Sequence, residues 1–340
     1  MRIHYTTGGW HGGYAEFFAK ALRSLGHEVF YFDDFSYGGG VRRLLKKLLV
    51  RIPRMEYRVD DYFRNVAGHD WLKSVRSFGP DLIILEYAPN VLPEYIREAK
   101  KSGTKVFYWM DAPAAGVQAK DALAGAAEAD KVFSVDKAWM TTLYAPEDFI
   151  YLPIGGDQDI FHPIKDSKKE YDIVWVGSLA PQTGDGFLRA KILAGLPDKY
   201  RIALFGSGIE YWTKHFPVLK KYLKAGGVLP ASELNEIYNK SEMVLNIHAV
   251  DNITALSGRT YEIALSGAFQ LVDWRADLDT LYPENGFVSF QYAKNINGLV
   301  NEWMKKPEER AKRAESIRRY TLNHHTWKHR AEEMLKHFSG

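Results

Sequence analysis

Short runs of Ile, Leu, Val and aromatic residues recur along the chain and break off at Gly, Pro or a polar residue. Asp81–Glu86, Thr104–Met110, Tyr171–Ser178, Tyr200–Phe205, Met243–His248 and Phe269–Val272 have this form. Apolar runs of this length, bounded by turn residues, read as buried strands. Segments of helical period lie between them: Tyr14, Phe17, Phe18, Ala21, Leu22 and Leu25 repeat at helical spacing and stop at Gly26. Strands that alternate with helices predict a doubly wound parallel sheet. The alternation comes in two series. Between them stand Pro153–Pro163, rich in Pro and Gly, and the charged run Lys165–Glu170, which reads as a linker. A chain of 340 residues is long enough for two such domains.

Composition narrows the classes. Hydrophobic residues at 46% and charged residues at 26% describe a soluble globular protein. The absence of Cys excludes disulfides, thiol nucleophiles and Cys-ligated metals. A net charge of +3 gives no reason to expect nucleic acid as a partner. Aromatic residues at 14% serve either a sugar-binding surface or large cores. No stretch has the length of a membrane-spanning helix, and Arg2–Thr6 already reads as a strand, so no signal peptide and a cytoplasmic location are expected.

In an open α/β sheet ligands bind beyond the carboxyl ends of the strands. The first such end carries Gly8, Gly9, His11, Gly12 and Gly13. The two glycine pairs do not have the G-x-G-x-x-G spacing of a dinucleotide site, although Asp33 and Asp34 follow the second strand. The glycines either allow a tight turn or bring backbone close to a ligand. His11 is a base candidate or a polar surface residue. Glu86 and Asp111 end two further strands; Asp111 is the stronger catalytic candidate, with a turn or cap acid as its alternative.

The second series ends in Gly258–Asp273, which reads as a loop, a short helix and a strand. Gly258 permits close approach of a ligand. Arg259 and Thr260 fall at the helix N-terminus, where backbone N–H groups and the dipole attract phosphate. Glu262 is expected in the first turn, where a carboxylate accepts two sugar hydroxyls. Phosphate and ribose contacts so placed describe a nucleoside diphosphate site; a capped α/β unit with solvated Arg and Glu would look the same. Asn246 and His248 point to one side at strand period, toward such a pocket or toward neighbouring backbone.

The run Gly258–Asp273, with Leu278, Leu281-Tyr282 and the closing Asn323–Arg330, resembles the C-terminal half of the CgeB-like (spore maturation protein) glycosyltransferases, in the family-4-like group of GT-B proteins. The resemblance extends from about Tyr171 to the C-terminus. It implies a GT-B fold: two Rossmann-like doubly wound domains facing a central cleft. The expected N-terminal, acceptor-side domain covers residues 1–160, with a final helix at 326–338 packing back on it; the donor domain covers residues 171–320. Glu262 would then hold the donor ribose, the loops at Gly177-Ser178 and Gly206 would flank the base, and Gly8 and Gly9 would face the donor. Family-4 enzymes often carry another glutamate eight residues before this one, where Thr254 stands here.

The chemistry implied is transfer of a sugar from a UDP-linked donor, used as substrate with no further cofactor, to a glycan, protein or lipid. Arg259, Thr260 and the helix tip can meet the charge of the departing diphosphate without a metal. Asp60-Asp61 and Asp277-x-Asp279 read as surface acids. The resemblance suggests a retaining reaction; an inverting one would need Asp111 or His11 as base. A nucleotide-sugar epimerase and a non-catalytic sugar-binding protein are the alternatives. Residues 41–58 carry Arg42, Arg43, Lys46, Lys47, Arg51, Arg54 and Arg58 beside an apolar stripe. That segment suits peripheral contact with an anionic membrane or an acidic acceptor, or is a helix with a solvated face.

Overall fold

The computed structural model describes residues 1–8, 14–33, 56–111, 117–139, 149–181, 185–283, 286–291 and 295–338. Gly9, His11 and residues 41–55 therefore lie outside the described residues. The chain forms two compact units, Met1–Pro153 with Trp327–Gly340, and Ile154–Thr326.

The first unit is built on a six-stranded sheet of β1 (Arg2–Thr7), β2 (Glu28–Asp33), β3 (Leu82–Glu86), β4 (Lys105–Met110), β5 (Lys131–Ser134) and β6 (Phe149–Tyr151). The order is β2-β1-β3-β4-β5-β6, and every pairing is parallel. All of β3 is buried, as its unbroken apolar run requires, whereas the edge strand β2 keeps Glu28 and Phe30 exposed. The helix Pro93–Lys100 starts at Pro93, whose missing N–H costs nothing there, and buries Tyr95, Ile96 and Ala99. The last helix, Trp327–Lys336, belongs to this unit. The Trp327 ring meets Trp109 and Phe18 edge-on, each at 6.1 Å, and all three are buried.

The second unit holds β7 (Tyr171–Ser178), β8 (Ile202–Ser207), β9 (Leu223–Ala225), β10 (Ser241–Asn246), β11 (Gln270–Asp273) and β12 (Val288–Phe290). Their order is β12-β11-β10-β7-β8-β9, again all parallel. Successive side chains leave a strand on opposite faces. Trp175, Leu204, Leu245 and Leu271 accordingly pack into one apolar cluster, and Val174, Ala203, Phe205 and Val244 into those on the other face. Helices cover both.

Residues 154–170, whose composition reads as a passage between domains, belong to the second unit. Phe161 is buried with Tyr238 and Ile263, and the Lys169 ammonium donates to the carbonyls of Asn239 and Ser241, each at 2.8 Å. The exposed charges around these anchors give the stretch its linker-like composition.

In each sheet the chain winds outward from a central strand and then continues on that strand's other side. The reversal falls between β1 and β3 in the first unit and between β7 and β10 in the second. Such points leave a crevice at the strands' carboxyl ends.

Candidate functional site

In the second unit the reversal point is crowned by the helix Gly258–Leu265. Ser257 precedes it in an extended conformation and makes no side-chain cap bond. Because the helix begins at Gly258, Glu262 is its fifth residue and stands in the second turn rather than the first. It still shares a face with Arg259, three residues earlier. The Glu262 carboxylate is buried, pairs with the Arg259 guanidinium and faces the Tyr238 hydroxyl at 3.5 Å. Burial, opposed by Arg259 and reinforced by Glu262, pushes the Tyr238 hydroxyl well up, so it stays a donor.

The helix tip is held from below by a closed polar circuit. Asn246, at the end of β10, donates from Nδ2 to Thr260 Oγ1 at 3.0 Å and to Gln270 Oε1 at 3.1 Å. Gln270 returns a bond from Nε2 to the Thr260 carbonyl at 2.9 Å. His248 Nε2 lies 3.2 Å from Thr260 Oγ1, and its Nδ1 lies 2.6 Å from Asp273 Oδ1. Asn246 and His248 do point to one side, and both meet Thr260. Their partners are buried side chains rather than neighbouring backbone. Burial opposes the charge of Asp273, but His248 and the Arg275 guanidinium, 2.9 Å away, hold its carboxyl below the usual range.

Sequence reasoning passed over the residues that join the strand-end loops. Asp185 and Arg189 form a buried ion pair at 2.9 Å. Arg189 donates to the Ser178 carbonyl at 2.9 Å, and Asp185 accepts the Val250 N–H at 3.3 Å. Arg275 donates to the Asn252 carbonyl at 2.6 Å. The loops after β7 and β10 are thus tied across the reversal point. The available signal was an acid and an arginine four residues apart at a helix start. Asp277, read as a surface acid, is buried: its N–H reaches the Thr254 carbonyl at 3.1 Å, and Thr280 donates to its carboxylate at 3.3 Å.

Gly177 and Gly206 stand opposite each other where β7 and β8 end. Gly206 has φ +125°, and a Cβ on it would lie 1.8 Å from the Gly177 carbonyl oxygen. No residue with a side chain fits there. Ser207 donates to Ser178 at 2.9 Å beside them.

The first unit's reversal point is acidic. Gly8 follows β1 and donates to the Glu86 carbonyl at 3.2 Å; a Cβ on it would stand 2.4 Å from the Tyr87 carbonyl oxygen. Tyr87 itself has φ +36°, a left-handed conformation that side-chain-bearing residues rarely adopt. Glu86 is buried and accepts a short bond from the Tyr5 hydroxyl. Asp111 follows β4, and one of its carboxylate oxygens is sealed from solvent. Burial pushes its carboxyl up to about 7, opposed in part by a hydrogen bond with Glu86. Burial and the neighbouring Glu86 and Asp111 charges push the Tyr5 hydroxyl well up as well. The structure thus brings Gly8, Glu86 and Asp111 together at one strand-end cluster.

Residues 187–336 match the family model described as Glycosyl transferase-like. No curated protein matches the chain by sequence. Among solved structures, the sucrose-phosphate synthase of Thermosynechococcus elongatus superimposes with a TM-score of 0.71 at 14% identity, covering 100% of this chain and 98% of that one. Anabaena HepE in complex with UDP-glucose gives 0.69 at 12% identity, over 100% and 99% of the two chains. An alpha-glucosyltransferase bound to UDP and a 13-mer DNA gives 0.69 at 12% identity, with both chains covered in full. The chain has the two-domain α/β GT-B fold. With a glycosyl transferase-like segment on that fold, it is a glycosyltransferase.

Proposed function

We propose that the chain transfers a sugar from a UDP-linked donor to a hydroxyl acceptor, with retention and without a metal, as an enzyme of CgeB-like type. The observation that carries the reading is the braced tip of the helix Gly258–Leu265 at the second unit's reversal point. A helix N-terminus attracts phosphate through its N–H groups and dipole. Here Arg259 adds a formal charge, and Asn246, His248 and Gln270 fix Thr260, so the backbone of the tip need not reorganise when a diphosphate arrives or leaves. Glu262 takes the ribose hydroxyls by exchanging its bond to Arg259, which turns to the phosphates. Gly177, Ser178 and Gly206 give the base a backbone surface without side chains in the way. In a retaining transfer the departing phosphate oxygen accepts the acceptor's proton. UDP is favoured because structural neighbours were solved with UDP or UDP-glucose.

Calorimetry tests the assignment. Glu262→Gln removes a charge-assisted bond worth roughly 1.5–3 kcal/mol, so UDP affinity should fall about tenfold or more. Arg259→Ala should weaken UDP more than uridine, because it removes a phosphate partner. Unchanged UDP affinity in both variants would remove the nucleotide from this helix.

One observation favours an inverting alternative. Asp111 titrates near 7 beside Glu86, where a carboxylate is a useful base toward an acceptor hydroxyl. Asp111→Asn separates the two: a retaining enzyme keeps its rate and stereochemistry, and an inverting one loses its rate.

A further inference from the structure

The second unit's sheet has a far end, where β7, β8 and β9 begin. There an open trough of about 530 Å³ is lined by Tyr171, Lys199, Tyr200, Lys221, Tyr222 and Lys224, among others. β7 has eight residues. At about 3.3 Å per residue, the trough lies roughly 25 Å from the strand ends described above.

The charges at this trough are unequal in their commitments. Arg201 is held by Asp172 through two bonds, at 2.6 and 3.2 Å, and Glu170 faces Lys240 at 3.4 Å. Lys199, Lys221 and Lys224 are exposed and make no ion pair among the described residues; the remaining acid in the lining is Asp198. The ammonium groups of Lys199 and Lys221 stand 5.0 and 5.9 Å from the ring centres of Tyr200 and Tyr222. Tyr222 is only 1% exposed, and its hydroxyl has no hydrogen-bond partner among the described residues. The rings open to the trough are therefore those of Tyr171 and Tyr200, both half-buried. Solvated lysines alone would explain the charge. They do not explain a hollow of ligand size flanked by tyrosine rings.

We propose that this trough is a second saccharide site, which takes an anionic sugar. The lysines meet its phosphate or carboxylate, and the half-buried Tyr171 and Tyr200 rings pack on its C–H faces. The site stands independently of where the donor binds.

The full chain is titrated by calorimetry with glucose 6-phosphate, glucuronate, glucose and inorganic phosphate, and separately with UDP. Saturable binding of glucose 6-phosphate or glucuronate is expected, about tenfold tighter than glucose or inorganic phosphate, and the stronger of the two names the anion. The exposed double change Lys221→Gln with Lys224→Gln should weaken it about tenfold and leave UDP affinity unchanged. Three results would overturn the proposal: no saturation by either anionic sugar, inorganic phosphate binding as tightly as the sugars, or binding that the lysine variant leaves intact.

Discussion

Both units close a six-stranded parallel sheet, and both place a reversal of strand order at its centre, yet the two strand ends carry opposite chemistry. In the first unit Tyr5, Glu86 and Asp111 put carboxyl groups in contact where burial keeps a proton among them. In the second, Arg259 stands at a helix tip and Arg189 and Arg275 brace the loops beneath it, each paired with an acid. A parallel sheet decides where a site forms, because backbone ends and loops gather there. The handful of residues at that place decides whether it handles protons or anions. An acidic end suits proton transfer, and a cationic helix tip suits a diphosphate.

The difference can be broken most severely at Gly206. Gly206→Ala forces a Cβ against the Gly177 backbone and should destabilise the second unit by about 3 kcal/mol or more, read by denaturant unfolding. If it unfolds no more easily, the strand ends are more yielding than their geometry implies. The acidic end makes a smaller, pH-dependent claim. Asp111 is raised in the folded chain from 3.8 to about 7, so its contribution to stability is complete below pH 4 and lost as pH rises through 7. Asp111→Asn should therefore match the parent in acid and exceed it by roughly 1–3 kcal/mol at pH 8. Parallel pH profiles would show that the carboxyl pair shares no proton. A claim about binding rather than stability concerns the basic segment 41–58, proposed to attract an anionic membrane or acidic acceptor. Arg42, Arg43, Lys46 and Lys47 changed together to Gln should weaken liposome binding as added salt does, by about 1 kcal/mol per charge at most, with UDP affinity unchanged. Among the described residues no helix is long and apolar enough to cross a membrane.

The two-sheet architecture was readable because fully buried strands leave unbroken apolar runs: Leu82–Glu86 and Lys105–Met110 differ from their sequence limits by one residue at the start. The helix at Gly258 was readable for a similar reason, between a glycine entry and Gly267 in the left-handed region. What escaped was pairing across the sheet. Nothing near Asp273 in sequence shows that it accepts both the backbone N–H and the ring of His248, 25 residues away. Likewise Asp277 has the local look of a solvated helix acid and is buried by tertiary contacts. The charged run before β7 reads as a linker because Lys165, Asp166 and Lys168 are exposed, while Phe161 ahead of it and Lys169 within it are anchored on the second unit.

The central claim places the nucleotide at the tip of the helix Gly258–Leu265. A crystal structure of the chain with UDP tests it directly. The account predicts the diphosphate within hydrogen-bond distance of Arg259 and the Gly258–Thr260 backbone, with the ribose hydroxyls on Glu262. UDP bound with neither contact, its phosphates away from this helix, would contradict it.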